Sequence, residues 1–324
     1  LKTRANNDIR KVEMRRIRIA SRASKLALAQ VDLVRKLLEN LYAGLETSIV
    51  KISTKGDRDK SDFLYKSESM GFFTSEVEKA LLDGRADLAV HSLKDLPTAL
   101  TPGLIVAAVP KRESPADALI ASNKVASIQD LPPATTIGTS SLRRIAQLYL
   151  LRDDIKCIPL RGNVETRVRK VMEGRVGAIV IACAGLNRLG LNDKISVILP
   201  PKDFIPAPAQ GALAVQIRDD DSELADLVGQ IDDKNSRIAV ETERSVLETM
   251  HGGCSIPLGV YSQIQNDQIT IDAIISDLEG GRYVRRTITA PLDQAKTSAK
   301  KIAGGLLADG GQEILDQIRN SRQD

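Results

Sequence analysis

The stretch Asp87-Leu-Ala-Val-His-Ser-Leu-Lys-Asp-Leu-Pro97 decides how the rest of the chain is read. Leu88, Ala89 and Val90 form a short unbroken apolar run, the pattern of a buried strand in a parallel sheet. The run turns polar at His91, Ser92, Lys94 and Asp95, and Pro97 stops regular structure. In open α/β sheets ligands bind beyond the carboxyl ends of the strands. A hydroxyl, an ammonium and a carboxylate therefore stand where such a fold keeps its chemistry. The same residues also suit a capped loop, with Asp95 satisfying turn amides ahead of Pro97. Taken alone, the stretch leaves both readings open.

Upstream, residues 16–20 alternate like a strand, 25–41 carry helical apolar spacing and 47–53 read as a second strand. This opens a βαβ unit with Arg22 and Ser24 on its first turn. Such a turn presents amides that favour anions, and Ser24 equally fits an ordinary N-cap. Residues 54–70 are charged and turn-rich, as in a lid, a binding segment or a disordered connection. A helix over 74–83 feeds the organising strand, and 104–109 is a further strand.

Near Pro110 the pattern restarts. Residues 117–121 are strand-like, and Thr136-Ile-Gly-Thr-Ser-Ser-Leu-Arg-Arg144 reads as strand, glycine turn and helix start. A strand over 155–160 ends in Arg161-Gly-Asn-Val, before a helix over 164–172. The buried strand 177–182 runs into Ala184-Gly-Leu-Asn-Arg188. This alternation predicts a second doubly wound α/β unit. Residues 200–210 read as a proline-rich crossover, and 211–217 as a strand available to the first sheet. A helix over 235–250 then leads to Gly252-Gly-Cys-Ser-Ile-Pro-Leu-Gly259. Alternating runs at 258–264, 269–276 and 282–289, with a helix over 293–308, predict a small α+β tail. Gly304, Gly305, Gly310 and Gly311 read as helix breakers. The expected division is 17–110 with 211–230, then 111–205, then 231–324.

Composition narrows the function. A chain of 324 residues holds two or three domains, and 42% apolar with 27% charged residues is ordinary for a globular protein. No apolar run reaches the roughly 20 residues that span a bilayer, and no secretory segment is visible. The chain begins at Leu1, so trimming is expected and an upstream targeting segment stays open. Formal net charge is only +4, aromatics are 3% and Trp is absent, which argues against a nucleic-acid binder. Cys157, Cys183 and Cys254 lack CxxC spacing, and His91 and His251 are the only histidines, so neither zinc nor a disulfide framework is expected. A reducing, cytoplasmic setting fits, or an organelle lumen if a targeting segment was removed.

Basic residues recur at successive strand ends: Arg22, Lys94, Arg143, Arg144, Arg161 and Arg188. In two facing halves they would line one cleft, and guanidinium forks match carboxylates. Gly138-Thr-Ser-Ser141 adds hydroxyls and a helix amino end. The cleft is expected to bind a ligand with several negative groups. Cys254 sits among glycines that leave its thiol approachable, whereas Cys157 and Cys183 lie in apolar strand contexts and read as inert.

At this point the residues resemble the hydroxymethylbilane synthase (porphobilinogen deaminase) family. The resemblance runs from about Ile17 through the third domain. It is carried by Ile19-Ala-Ser-Arg-Ala-Ser-Lys-Leu-Ala-Leu-Ala-Gln30, Asp87–Pro97, Gly138-Thr-Ser-Ser-Leu-Arg-Arg144, Leu160-Arg-Gly-Asn-Val164, Ala184-Gly-Leu-Asn-Arg-Leu-Gly190, Pro208-Ala-Gln-Gly211 and Gly252–Gly259. One such motif is weak; all of them in order are specific. The resemblance implies two doubly wound α/β domains like periplasmic binding protein halves, with a small α+β C-terminal domain. It implies a dipyrromethane cofactor held covalently by Cys254, and head-to-tail joining of four porphobilinogen molecules with loss of ammonia. Hydrolysis then releases 1-hydroxymethylbilane, in heme biosynthesis.

By the same resemblance Asp95 is the catalytic carboxylate, beside a cationic azafulvene. Ser92, Lys94, Thr139, Ser140, Ser141, Arg143, Arg144, Arg161 and Gly162 would hold the cofactor. Arg22, Ser24, Arg167, Arg188 and Gln210 would hold substrate. A monomer without nucleic-acid or membrane partners is implied. One departure stands out: Ser67-Glu-Ser-Met-Gly-Phe-Phe73 places Met70 where a lid lysine is common, with Lys66 or Lys55 available instead. The competing reading is a non-catalytic two-lobed binding protein for a polycarboxylate, which gives no reason for Cys254 or a third domain. A nucleotide-binding enzyme lacks a P-loop or a placed G-x-G-x-x-G.

Overall fold

The computed structural model describes residues 16–54, 74–250 and 256–320. The chain opens with β1 (Ile17–Arg22), α1 (Lys25–Leu41), β2 (Thr47–Ile52), α2 (Ser75–Leu82), β3 (Leu88–Ser92) and β4 (Leu104–Ala108). It continues with β5 (Asp117–Ala121), β6 (Thr136–Gly138), α3 (Leu142–Leu151), β7 (Lys156–Ile158), α4 (Val164–Met172), β8 (Ala178–Ala182), α5 (Cys183–Arg188) and β9 (Val197–Leu199). Then come β10 (Leu213–Arg218), α6 (Ser222–Gly229), α7 (Lys234–Thr249), β11 (Leu258–Gln265), β12 (Gln268–Ser276), β13 (Tyr283–Pro291), α8 (Ala295–Leu306) and α9 (Gln312–Asn320).

Two five-stranded sheets share one plan. The first has the order β2-β1-β3-β10-β4 and the second β7-β6-β8-β5-β9. In each, four strands point the same way and one runs against them: β10 lies antiparallel to β3 and β4, and β5 antiparallel to β8 and β9. The organising strand β3 is thus parallel to β1 on one side only. The reason lies in the connections. Leu213 pairs with Ser92 and Asp117 with Ala182, so both β10 and β5 start at the end where their neighbours finish. Each strand enters from the other sheet and must run back down its own.

The two crossovers lie against each other. Glu113 N–H donates to Gly211 O (3.3 Å). Gly211 has φ of +91°, and a Cβ there would lie 2.4 Å from Glu113 O, so only glycine fits.

Helix α1 covers one face of the first sheet with Val31, Val34 and Leu38, all fully buried. Each is worth about 1.5–3 kcal/mol of removed apolar surface. The third sheet is an antiparallel meander, β11-β12-β13, backed by α7, α8 and α9. Ile269, Ile271, Ala273 and Ile275 of β12 alternate into that core, as the period of two requires.

Glu243 of α7 stands where the meander meets the crossovers and is fully buried. Its carboxylate accepts from Arg112 Nη1 (2.7 Å) and Nη2 (3.0 Å), from Ala209 N (2.6 Å) and from Ser262 N (2.8 Å). Two sequence expectations change here. Gly304 and Gly305 lie inside α8, and a Cβ on Gly305 would meet the Arg286 guanidinium at 2.7 Å. The break falls instead at Gly310, with φ of +113°, and α9 follows it unanticipated.

Candidate functional site

The end of β3 is held from several sides. Ser92 Oγ accepts from Gln30 Nε2 of α1 (2.8 Å). Residues Leu93–Asp95 form one 3₁₀ turn, with Leu93 buried and its amide donating to Ala212 O (3.0 Å). Arg244 of α7 reaches the same turn and donates to Leu96 O (2.7 Å) and Pro97 O (2.5 Å). The bracing leaves Asp95 exposed at the strand end. It lines a cavity with Arg22, Ser24, Gln30, Thr74, His91 and Ser92. Ser24 caps α1, accepting from Ala27 N (3.2 Å), so its capping and site positions coincide. His91 is buried, and that burial, against an opposing Gln216 contact, pushes its pKa down to about 4. Its ring is neutral at pH 7, with Nε2 unpartnered.

Lys94 Nζ donates to Gln210 Oε1 (3.2 Å). Burial draws the Lys94 pKa down to about 8; Asp95 and Asp117 act to raise it, Arg144 and Arg143 to lower it. Gln210 itself is fully buried. Its Nε2 donates to Pro115 O (2.8 Å) and Asp117 Oδ1 (3.0 Å).

On the second sheet, a Cβ on Gly138 would meet Leu160 at 2.6 Å, so β6 passes very close to the turn before α4. Ser140 Oγ uses that approach, accepting from Leu160 N (3.2 Å) and donating to Leu160 O (3.3 Å). Thr139 Oγ1 accepts from Ser141 N (3.2 Å), and Ser141 stands at the N-cap of α3 without capping it through its side chain. Thr139 and Ser140 therefore spend hydrogen bonds on shaping the turn.

Arg143 and Arg144 occupy the first turn of α3, and both are buried. The sequence reading aims them at ligand carboxylates; the structure turns them onto Asp117 at the start of β5. Arg143 Nη2 lies 2.7 Å from Oδ2, while Arg144 Nε (3.2 Å) and Nη2 (2.7 Å) share Oδ1. Arg143 also donates to Ile205 O (2.8 Å) and lies over the Phe204 ring, 5.7 Å from its centre. Burial acts to raise the Asp117 pKa, but Arg143 and Arg144 outweigh it and hold the carboxyl well below the usual range.

Arg161 is half-buried, with Nε and Nη2 unpartnered. Arg167 donates from Nε to Gly162 O (2.8 Å), and burial, with Arg144 and Arg161 nearby, pulls its pKa down to about 10. Gly162 has φ of +118° and would crowd Thr166 with any Cβ. Arg188 donates from Nη2 to Gly211 O (2.6 Å), so it faces the crossover, with Nε unpartnered. Unpartnered guanidinium atoms, mutually crowded arginines and a depressed lysine are a donor set for a ligand with several carboxylates. A dipyrromethane cofactor carrying acid side chains fits that set.

The structure thus gathers Lys94, Gln210, Arg143 and Arg144 around Asp117, which the sequence reading did not single out. Gln30 was also missed, although it closes the quoted first motif. Arg22, Ser24, Ser92 and Asp95 share the cavity; Arg161, Gly162 and Arg167 cluster on the second sheet. Cys254, His251, Lys55, Lys66 and Met70 lie outside the described residues. Cys157 and Cys183 are free, with Cys183 opening α5 instead of lying in a strand, and burial pushes both thiols up to about 11. Among the described residues, no helix is long and apolar enough to cross a membrane, and no cluster of three or more His, Cys, Asp and Glu could hold a metal.

Comparison with known proteins adds an independent line. The family model described as porphobilinogen deaminase, dipyromethane cofactor binding domain, matches residues 17–226. The model for the porphobilinogen deaminase C-terminal domain matches residues 237–308. The chain is 45% identical over 305 residues to a porphobilinogen deaminase of Maridesulfovibrio salexigens, covering 94% of this chain and 99% of the relative. It is 42% identical over 306 residues to one of Syntrophomonas wolfei, covering 94% and 100%. Among solved structures, the methionine binding protein MetQ aligns with a TM-score of 0.43 at 12% identity, over 74% of this chain and 96% of that one.

Proposed function

The chain belongs to the porphobilinogen deaminase family, and from that premise we propose how its residues divide the work. The activity is that of hydroxymethylbilane synthase, in tetrapyrrole biosynthesis, with a dipyrromethane cofactor. That cofactor, when bound, supplies the nucleophilic pyrrole carbon to which porphobilinogen units are joined head to tail. A non-catalytic two-lobed binding protein is set aside by this membership.

Asp95 is the catalytic carboxylate. When the protonated amino group of porphobilinogen's aminomethyl arm leaves as ammonia, the C–N electron pair departs with nitrogen and the methylene-pyrrole left behind becomes a cation. A fixed carboxylate at the pyrrole nitrogen stabilises that charge as it develops, the kind of preorganised electrostatics that often dominates a rate enhancement. The observation that carries the assignment is the braced turn: Asp95 is exposed at the strand end, while Ala212, Leu96 and Pro97 contacts immobilise the backbone on either side of it.

Arg161, Lys94, Ser92, Ser141 and Gly162 hold cofactor and product carboxylates, on a turn that Thr139 and Ser140 shape. Arg22, Ser24, Arg167 and Arg188 serve the substrate side, while Gln210, expected there too, is fully buried and stands behind Lys94. Arg143 and Arg144 add positive potential while bonded to Asp117. Cys254 anchors the cofactor through a thioether. The working division is 17–110 with 211–230 for the catalytic half, 111–205 for the arginine-rich half and 231–324 for the anchor. A reducing, cytoplasmic setting suits the free thiols of Cys157 and Cys183, and a monomer is what the family resemblance implies.

Intact mass of the purified protein, repeated on Cys254→Ser, tests the anchor: an excess of two linked pyrroles is expected only with the cysteine. In loaded enzyme, Asp95→Ala should nearly abolish turnover, and Asp95→Glu should retain the charge but misplace it. Most of kcat surviving in Asp95→Ala would remove the assignment.

A further inference from the structure

We propose that Asp117 is a positioning residue: acting through the Gln210 side-chain amide, it holds the Lys94 ammonium beside Asp95. This deepens the proposed function and rests on Asp95 being the catalytic carboxylate. Asp117 touches neither the cavity lining nor Asp95, yet it is the buried centre onto which both halves of the cleft converge.

The amide of Gln210 can stand only one way round. Its Nε2 meets Pro115 O, Asp117 Oδ1 and, at 3.4 Å, Ala116 O. All three are acceptors, so the nitrogen must face them and the oxygen must face away. The oxygen then points at Lys94 Nζ, 3.2 Å off. A reversed amide would set oxygen against oxygens and an NH₂ group against an ammonium. Asp117 is the one charged member of the acceptor set, and its carboxylate is itself pinned by Arg143 and Arg144. The orientation is therefore dictated from the second sheet, and it reaches the active turn of the first.

A second consequence is electrostatic. Lys94 is faced by Asp95 on its own turn, and by Asp117, Arg143 and Arg144 from β5 and α3. Asp117 offsets part of the repulsion from the two arginines. Without it, Lys94 would face two cations across the crossover and lose its proton more easily.

The test uses loaded enzyme, verified by mass, and follows kcat and KM against pH. An alkaline limb from Lys94 is expected, above the value of about 8 set by the protein's own groups, because a bound carboxylate favours the ammonium. Lys94→Arg, which does not titrate, should remove it. Asp117→Asn and Gln210→Met should each move the limb down by about one pH unit, the size expected of a charge acting through a short polar contact. The double variant should move it no further than Asp117→Asn alone, which already removes both the link and the charge. A purely structural role would lower the Tm or the cofactor loading and leave the limb in place. If Asp117→Asn does not fold, Gln210→Met alone decides, since it leaves the carboxylate–arginine cluster intact. An unmoved limb in either loaded variant, or additive shifts in the double, overturns the proposal. Failure of the underlying reading looks different: activity would survive Asp95→Ala. Asp95 essential with the limb unmoved would sink only the role of Asp117.

Discussion

Replacing Glu243 by Leu should uncouple the third sheet from the two crossovers. The side chain is fully buried and accepts hydrogen bonds from both Arg112 terminal nitrogens and from the Ala209 and Ser262 amides. Its removal leaves a guanidinium that is only 9% exposed without its partner. Stranding one member of a buried pair typically costs about 3–5 kcal/mol, and each orphaned amide about 1–3 kcal/mol. These terms overlap as the site relaxes, so about 5 kcal/mol is a fair sum. At about 2.1 cal/mol/K of unfolding entropy per residue, a cooperative chain of 324 residues would lose roughly 7 °C in Tm. The assay is thermal unfolding followed by circular dichroism, on single variants and on Arg112→Met with Glu243→Leu. The double variant removes the stranded charge and should recover about 1–2 kcal/mol relative to Glu243→Leu. A Tm loss under 2 °C, or a double variant worse than both singles together, would refute the reasoning.

Other expectations follow from single contacts. Gly211→Ala should destabilise by about 2–4 kcal/mol, since a Cβ there meets a backbone oxygen at 2.4 Å in a positive-φ conformation; urea midpoints read this, and a change under about 0.5 kcal/mol counts against the close approach. His91 has a folded pKa of about 4 against an ordinary 6.5, so the unfolded chain binds its proton first. Stability should therefore be present above pH 6.5 and fall as pH drops toward 4, by up to about 3 kcal/mol. Urea denaturation of His91→Gln should show a flatter profile in that window, and an unchanged slope would exclude the histidine. Arg161→Gln should lower the fraction of protein carrying the cofactor, read by intact mass, because an unpartnered guanidinium is removed; identical loading would mean that it holds no cofactor carboxylate.

Much of this fold was legible because apolar runs and turn residues report local structure. The helix 25–41 and the strands around Leu88 and Ile179 were placed from periodicity alone. Strand direction was less legible: nothing in Leu213–Arg218 says that it runs antiparallel, because direction follows from where the crossover enters. The tail misled for a different reason. Gly304 and Gly305 suit breakers by propensity, but both continue the helix, Gly305 packing under Arg286 where a side chain would not fit, and α9 beyond the break at Gly310 stayed hidden. At the site, Asp95 and its neighbours stood out because their polarity interrupts a buried strand. Asp117 did not, because a carboxylate at the start of a strand resembles any other until two arginines from α3 are seen to fold onto it. Arg143 and Arg144 were read as ligand groups for the same reason: sequence gives the charge, and only tertiary structure gives its direction.

The placement of β10 bears on the order in which the molecule can be made. It lies between β3 and β4, so the amino-terminal sheet stays open until the ribosome has added Arg218. The second sheet has its last strand by Leu199 and its core, with Phe204 packed in, by Ile205, and can close while the first still lacks its fourth member. Synthesis usually favours folding of the amino-terminal domain first; here the middle of the chain completes earlier. Until then β3 and β4 expose unpaired edges, the surfaces most prone to wrong pairing. A protein cut short between residues 206 and 212 would therefore keep a finished arginine-rich half and lose the sheet that carries Asp95.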